Sequence, residues 1–166
     1  MFDPTKYEGS NSSRQSGIAA GEYLLSIESI ERKQGKNGPY LRARFEVVYG
    51  PRAGAHFWSN IGINVASSAG TAARLAILCK CVGQTAPFDL NDDRSIARAI
   101  VGKPFKARIK RVENGGYVNN DIERYMPELT DEERRAADGW VLDRQEAEAM
   151  GDSYRGDDAD MDDLPF

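Results

Sequence analysis

The chain has almost nothing with which to do covalent or metal chemistry. Its 166 residues include two cysteines and one histidine. Cys79 and Cys81 lie two apart in "LCKCV". In a helix they point in different directions, and in a strand they share a face without good bridging geometry. With His56 as the single histidine, no second cluster completes a zinc site. Both thiols therefore read as small, reduced packing residues. No run is long or apolar enough to span a membrane. The stretch "MFDPTKYEGS" lacks the basic-then-apolar layout of a secretory leader, so a cytoplasmic protein is the expectation. There is no G-x-x-x-x-G-K-[ST] phosphate loop and no H-E-x-x-H. His56 has no evident serine or cysteine nucleophile beside it. Neither an enzyme nor a cofactor is expected.

Charge of one sign is scarce only on average. The net charge is −4, which at first argues against nucleic acid. Residues 1–127, however, hold 18 Lys and Arg against 12 Asp and Glu, a balance of +6. Residues 128–166 hold 4 against 14, a balance of −10. A basic body carries an acidic tail.

What is present reads mainly as strands. Residues 1–19 are small and polar, a flexible arm. The stretch "GEYLLSIESIERKQGKNGPYLRARFEVVYGPRAGAHFWSNIGIN" predicts three strands, with "GKNG" as a hairpin turn. Tyr23, Leu25 and Ile27 alternate with polar residues, although Leu24 and Ile30 blur the pattern. In the second strand Leu41, Ala43, Phe45 and Val47 face one way, and Tyr40, Arg42, Arg44 and Glu46 the other. In the third, Phe57, Ser59, Ile61 and Ile63 share a face opposite His56, Trp58 and Asn60. "SSAGTAARLAILCKCVG" predicts a packed helix stopped by Gly83. "SIARAIVGK" follows as a short helix or turn. "PFKARIKRVE" and "YVNNDIERYM", joined by "NGG", form a hairpin in which Phe105, Ala107 and Ile109 point inward and Lys106, Arg108 and Lys110 outward. Thr130 and Glu133 form a capping box. A short helix is expected over 128–150, interrupted near Gly139, with a disordered acidic tail over 151–166. Five strands with a helix between the third and fourth is the layout of an OB-fold, a small Greek-key barrel spanning 20–127.

The candidate chemistry is binding. The outward faces of the second and fourth strands combine cations with flat rings. Single-stranded nucleic acid needs both: cations for its backbone and aromatic planes for unpaired bases, each stack contributing roughly 1–3 kcal/mol whatever the sequence. The residues in question are Tyr40, Arg42, Arg44, Trp58, Lys106, Arg108, Lys110 and Tyr117, with Lys33, Lys36 and Lys103 as weaker candidates near loops. Alternating Lys and Arg on one strand alone would suggest only a solvated face; two such strands in one small barrel favour binding. Carboxylates at 131–133 and 157–163 could in principle hold magnesium for a nuclease. They fall on a helix start and a flexible tail, where rigid coordination is not expected. Asp92 and Asp93 read as turn and cap residues.

The tail ends "DMDDLPF", with Leu164, Pro165 and Phe166 as an apolar hook behind acids. A ring with a terminal carboxylate suits a pocket with arginine at its lip. This tip resembles that of bacterial single-stranded DNA-binding proteins, in which acids precede a short apolar ending closed by Pro-Phe. Asp160, Asp162, Asp163, Leu164, Pro165 and Phe166 match, with leucine where isoleucine is usual. The body is similar to a phage-encoded family of OB-fold single-stranded DNA-binding proteins, once known only as a domain of unknown function. The likeness lies in "GEYLLSIESIERKQGKNGPYLRARFEV", "HFWSNIGIN", "AARLAILCKCVG" and "VGKPFKARIKRVENGGYVNNDI". The resemblance implies sequence-independent binding of single-stranded DNA, a role in replication and recombination, and recruitment of partner proteins by the tip. It supplies no catalytic residues. A protein-recruiting adaptor without DNA binding is the alternative, and a small magnesium nuclease a third. Unpaired strand edges leave room for a homodimer.

Overall fold

Alternation of apolar and polar residues needs one dry face, and the chain builds it as a single antiparallel sheet. A computed structural model of the protein describes residues 17–162, apart from the side chains of 114 and 150–162. The strands are β1 (Gly21–Gly35), β2 (Gly38–Val47), β3 (His56–Gly62), β4 (Phe105–Asn114) and β5 (Tyr117–Met126), in the spatial order β3-β2-β1-β4-β5. Three helices accompany them in the described residues: α1 (Ala69–Val82), α2 (Asp93–Ile100) and α3 (Asp131–Asp162). The architecture is mainly β and barrel-like.

Strand β1 is the spine. Its residues 21–25 pair with β4 and its residues 25–35 with β2. A bulge between Ile27 and Ser29 lies within the part paired with β2. A bulge inserts one unpaired residue, bends the strand and resets its parity. This is why Ile30 departs from the sequence pattern. Leu24, Leu25, Ser26 and Ile27 are all buried, so this stretch is covered on both faces.

Residues from every strand fill the interior. The Phe45 ring stacks on Phe57 at 5.1 Å, Phe105 meets Phe45 edge-on at 6.2 Å, and Tyr125 lies 5.8 Å from Phe105. Burying each such ring contributes about 1.5–3 kcal/mol. The outermost strands, β3 and β5, approach each other without a backbone ladder. Side chains join them instead. Ser59 Oγ donates to Asp121 Oδ1. Arg74 of α1 reaches the edge of β5, donating to the carbonyls of Ile122 and Glu123.

The helices begin and end where expected side chains permit. Ser68 caps α1, its hydroxyl accepting from Thr71 N–H, and Gly83 closes it at φ 77°, a left-handed turn that glycine adopts freely. Asp92 caps α2, accepting from Arg94 N–H at 3.1 Å, while Asp93 pairs with Arg32 at 2.7 Å. The capping box forms: Thr130 Oγ1 accepts from Glu133 N–H at 3.1 Å, and Glu133 Oε1 accepts from Thr130 N–H at 2.9 Å.

Two expectations are corrected here. Helix α3, Asp131–Asp162, is continuous through Gly139, where an interruption was expected. Starting a helix is costly and extending it is cheap. A start fixed by the capping box therefore carries past a single glycine. The arm is also shorter than expected, because Ile18 is buried. Asn120 clamps it, accepting from Ile18 N–H at 2.9 Å and donating to Ile18 C=O at 2.7 Å. Residues 1–16 and the tip residues Asp163, Leu164, Pro165 and Phe166 lie outside the described residues.

Candidate nucleic-acid interface

Period-two patterning puts Tyr40, Arg42 and Arg44 on the outer face of β2, since Leu41, Ala43 and Phe45 are fully buried. The register sets their neighbours. On β3, Tyr40 lies opposite Gly62, Arg42 opposite Asn60 and Arg44 opposite Trp58. On β1, Lys33 lies opposite Tyr40 and Glu31 opposite Arg42. The outer face of β1, β2 and β3 is therefore one continuous surface. Trp58 is 40% exposed there, and the guanidinium carbon of Arg42 sits 5.0 Å from its ring centroid. Among the described residues no carboxylate pairs with Arg42. The arginine stacks on the ring, and the carboxylate opposite it on β1, Glu31, pairs with Lys33 instead.

One end of this face is acidic, which parity did not reveal. Glu28 leaves the β1 ladder at the bulge, and its Oε2 lies 3.4 Å from Arg44 Nε and 3.2 Å from His56 Nε2. Glu46 approaches the same imidazole at 4.0 Å. At the other end Lys33 pairs with Glu31 at 2.9 Å. Lys36 stands in the β1–β2 turn, with no partner among the described residues.

The fourth strand does not add its cations to this surface. Arg108 lies opposite Glu22 on β1, whereas Arg42 lies opposite Glu31. Nine residues along β1, about 30 Å of strand, lie between these two positions, and five, about 17 Å, between the nearest pair, Lys106 opposite Leu24 and Arg44 opposite Ser29. The cationic rows of β2 and β4 are two patches, not one groove. Lys106 is also withdrawn. It is only 12% exposed at its side chain, with Nζ 3.0 Å from Glu133 and 3.8 Å from Glu22. Helix α3 returns over it. Glu133 responds to the contact: burial would raise its pKa, but hydrogen bonds from Thr130 and Lys106 outweigh that and hold the carboxyl below its ordinary value. Arg108 pairs with Glu123 at 2.7 Å. Lys103 donates to Ala99 C=O at 2.9 Å and to Gln84 at 3.4 Å. Lys110 remains exposed opposite Asp121. Tyr117 is 79% exposed beside the β4–β5 turn, on the strand that reaches β3 through Asp121.

The thiols are half-buried packing residues on α1, and burial raises both pKa values, Cys81 to about 11. Among the described residues no three His, Cys, Asp or Glu side chains gather as metal ligands. No helix among them is long and apolar enough to cross a membrane.

A family model described as "Protein of unknown function (DUF669)" matches residues 5–136. The chain belongs to the DUF669 family. The matched span takes in the whole sheet, α1, α2 and the first turn of α3 with its capping box. The rest of α3 and the acidic tip lie beyond it. No curated protein matches the chain.

Proposed function

We propose that the protein binds single-stranded DNA without sequence preference, on the outer face of β1–β3, and performs no catalytic step. The observation that carries this reading is Arg42 poised over the exposed Trp58 ring with no carboxylate neutralising it. A cation and a half-exposed indole on one rigid sheet match a phosphate and an unpaired base. Tyr40 extends the aromatic row, and Arg44, Lys33 and Lys36 flank it. Tyr117 and Lys110 belong to the β4–β5 hairpin, at the side of the face. We leave Lys103 and Lys106 out of the interface because each is engaged within the protein, and Arg108 because it stands on the separate β4 patch, paired with Glu123.

The sheet order, the shared and bent first strand and the helix between β3 and β4 fit an OB-fold. In that fold the second and third strands and the adjoining hairpin loops form the usual nucleic-acid surface. The acidic segment ending at Leu164, Pro165 and Phe166 serves as the contact for replication or recombination proteins, as its resemblance implies.

The test is equilibrium anisotropy with a labelled oligo-dT at low salt. Wild type binds, and Arg42→Gln weakens binding about tenfold, within the usual contribution of a charge-assisted contact. A folded wild-type protein that leaves the oligonucleotide free would instead favour the adaptor reading.

A further inference from the structure

One built cleft adjoins this face. The β1–β2 turn, the end of β3 and the start of α1 enclose about 300 Å³, lined by Lys36, Pro39, Tyr40, Asn64, Ser67 and Thr71. We propose that this cleft takes one nucleobase of the bound strand, stacked on Tyr40 and hydrogen-bonded to Asn64. The inference rests on the single-stranded DNA reading and deepens it.

The walls are fixed rather than adaptable. Gly38 has φ +103°, and a Cβ there would fall 2.3 Å from Asn64 Nδ2. Only glycine lets the turn come so close. Gly35 gives the Tyr40 ring its seat, a Cβ there standing 3.1 Å from the ring. Gly62 clears the floor, where Thr71 already lies 3.0 Å from the position of a Cβ. Asn64 ties the two loops together: its Nδ2 donates to Asn37 C=O, and its backbone carbonyl accepts from Ser67 Oγ at 2.9 Å. The first of these bonds orients the side-chain amide, leaving Oδ1 free of partners among the described residues.

A preorganised acceptor, a ring beside it and an uncompensated Lys36 form the elements of a nucleotide site. Every base offers an N–H donor on its pairing edge, so Oδ1 tolerates any sequence. The volume suits a single base with its sugar, at the low end of small-ligand sites. The cleft is continuous with the open face through Tyr40, whose next outward neighbour on β2 is Arg42.

The experiment is a ¹⁵N-detected titration of the full chain with oligo-dT, and with a matching abasic oligomer. The amides of Gly35, Gly38 and Gly62 report the cleft, and the Arg42 side-chain Nε–H reports phosphate on the open face. The expected result is that both sets shift with oligo-dT, while only the Arg42 Nε–H shifts with the abasic oligomer. If oligo-dT moves the Arg42 Nε–H and leaves the glycines, the cleft holds no base and the inference fails while DNA binding stands. Glycines that shift equally with the abasic oligomer mark a phosphate groove and also overturn it. If nothing shifts, the DNA reading itself fails. Tyr40→Ala is expected to weaken oligo-dT binding about tenfold and leave abasic binding unchanged; equal weakening of both contradicts the inference.

Discussion

Arg44 faces Glu28 across the bulge in β1, its Nε 3.4 Å from the carboxylate, and the pair holds one of the interface's cations in reserve. Both side chains are about one-third to two-fifths exposed, so the pair itself adds little to stability. Its effect falls on ligands. A phosphate approaching Arg44 must compete with Glu28. Replacement of Glu28 by Gln is therefore expected to tighten oligo-dT binding about two- to fivefold at low salt, with the gain vanishing at high salt. Anisotropy titrations at two salt concentrations measure this. Weaker binding by the Gln variant would mean that Glu28 positions Arg44 rather than masking it.

The separation of the β2 and β4 cations fixes how strongly salt should act. Lys33, Lys36, Arg42 and Arg44 are the cations of the β1–β3 face. Single strands lose about 0.7 in log–log slope per phosphate neutralised, so these cations give a slope near −3. A slope of about −5 or steeper would bring the β4 row into contact and contradict the division into two patches.

Much of this surface was legible before folding. The parity of β2 and β3 could be read directly because both alternate strictly over one buried face, and Phe45 and Phe57 stack inside as their positions require. The caps at Asp92 and Thr130 were equally readable, since each is a local contact within a few residues. What failed was non-local. Parity says that Lys106 points out of the sheet, but not that α3 returns to place Glu133 over it. Nor does it give the register along β1, which sets the second and fourth strands' cations apart. Asn120 looked like any polar strand residue, while its partner Ile18 lies 102 positions away.

Tyr125 predicts behaviour in alkali. Burial, partly offset by the charge of Arg74, pushes its phenol from 10.0 to about 12. The neutral ring is favoured in the folded state, so this contribution is complete below pH 10 and is lost as pH rises from 10 to 12. Its size is about 3 kcal/mol. Chemical denaturation across that pH range should show the loss in wild type. Tyr125→Phe should lack this component, and an identical slope in both proteins would contradict the assignment.

The central claim is that unpaired bases stack on the outer face of β1–β3, and intrinsic fluorescence tests it most directly. Trp58 and Trp140 are the only two tryptophans, and Trp140 lies on α3 with Arg144 over its ring. Titration with oligo-dT is predicted to quench the emission saturably, and Trp58→Phe is predicted to abolish the quench. Emission unchanged at concentrations where anisotropy reports binding, or a quench that survives in Trp58→Phe, would contradict the account.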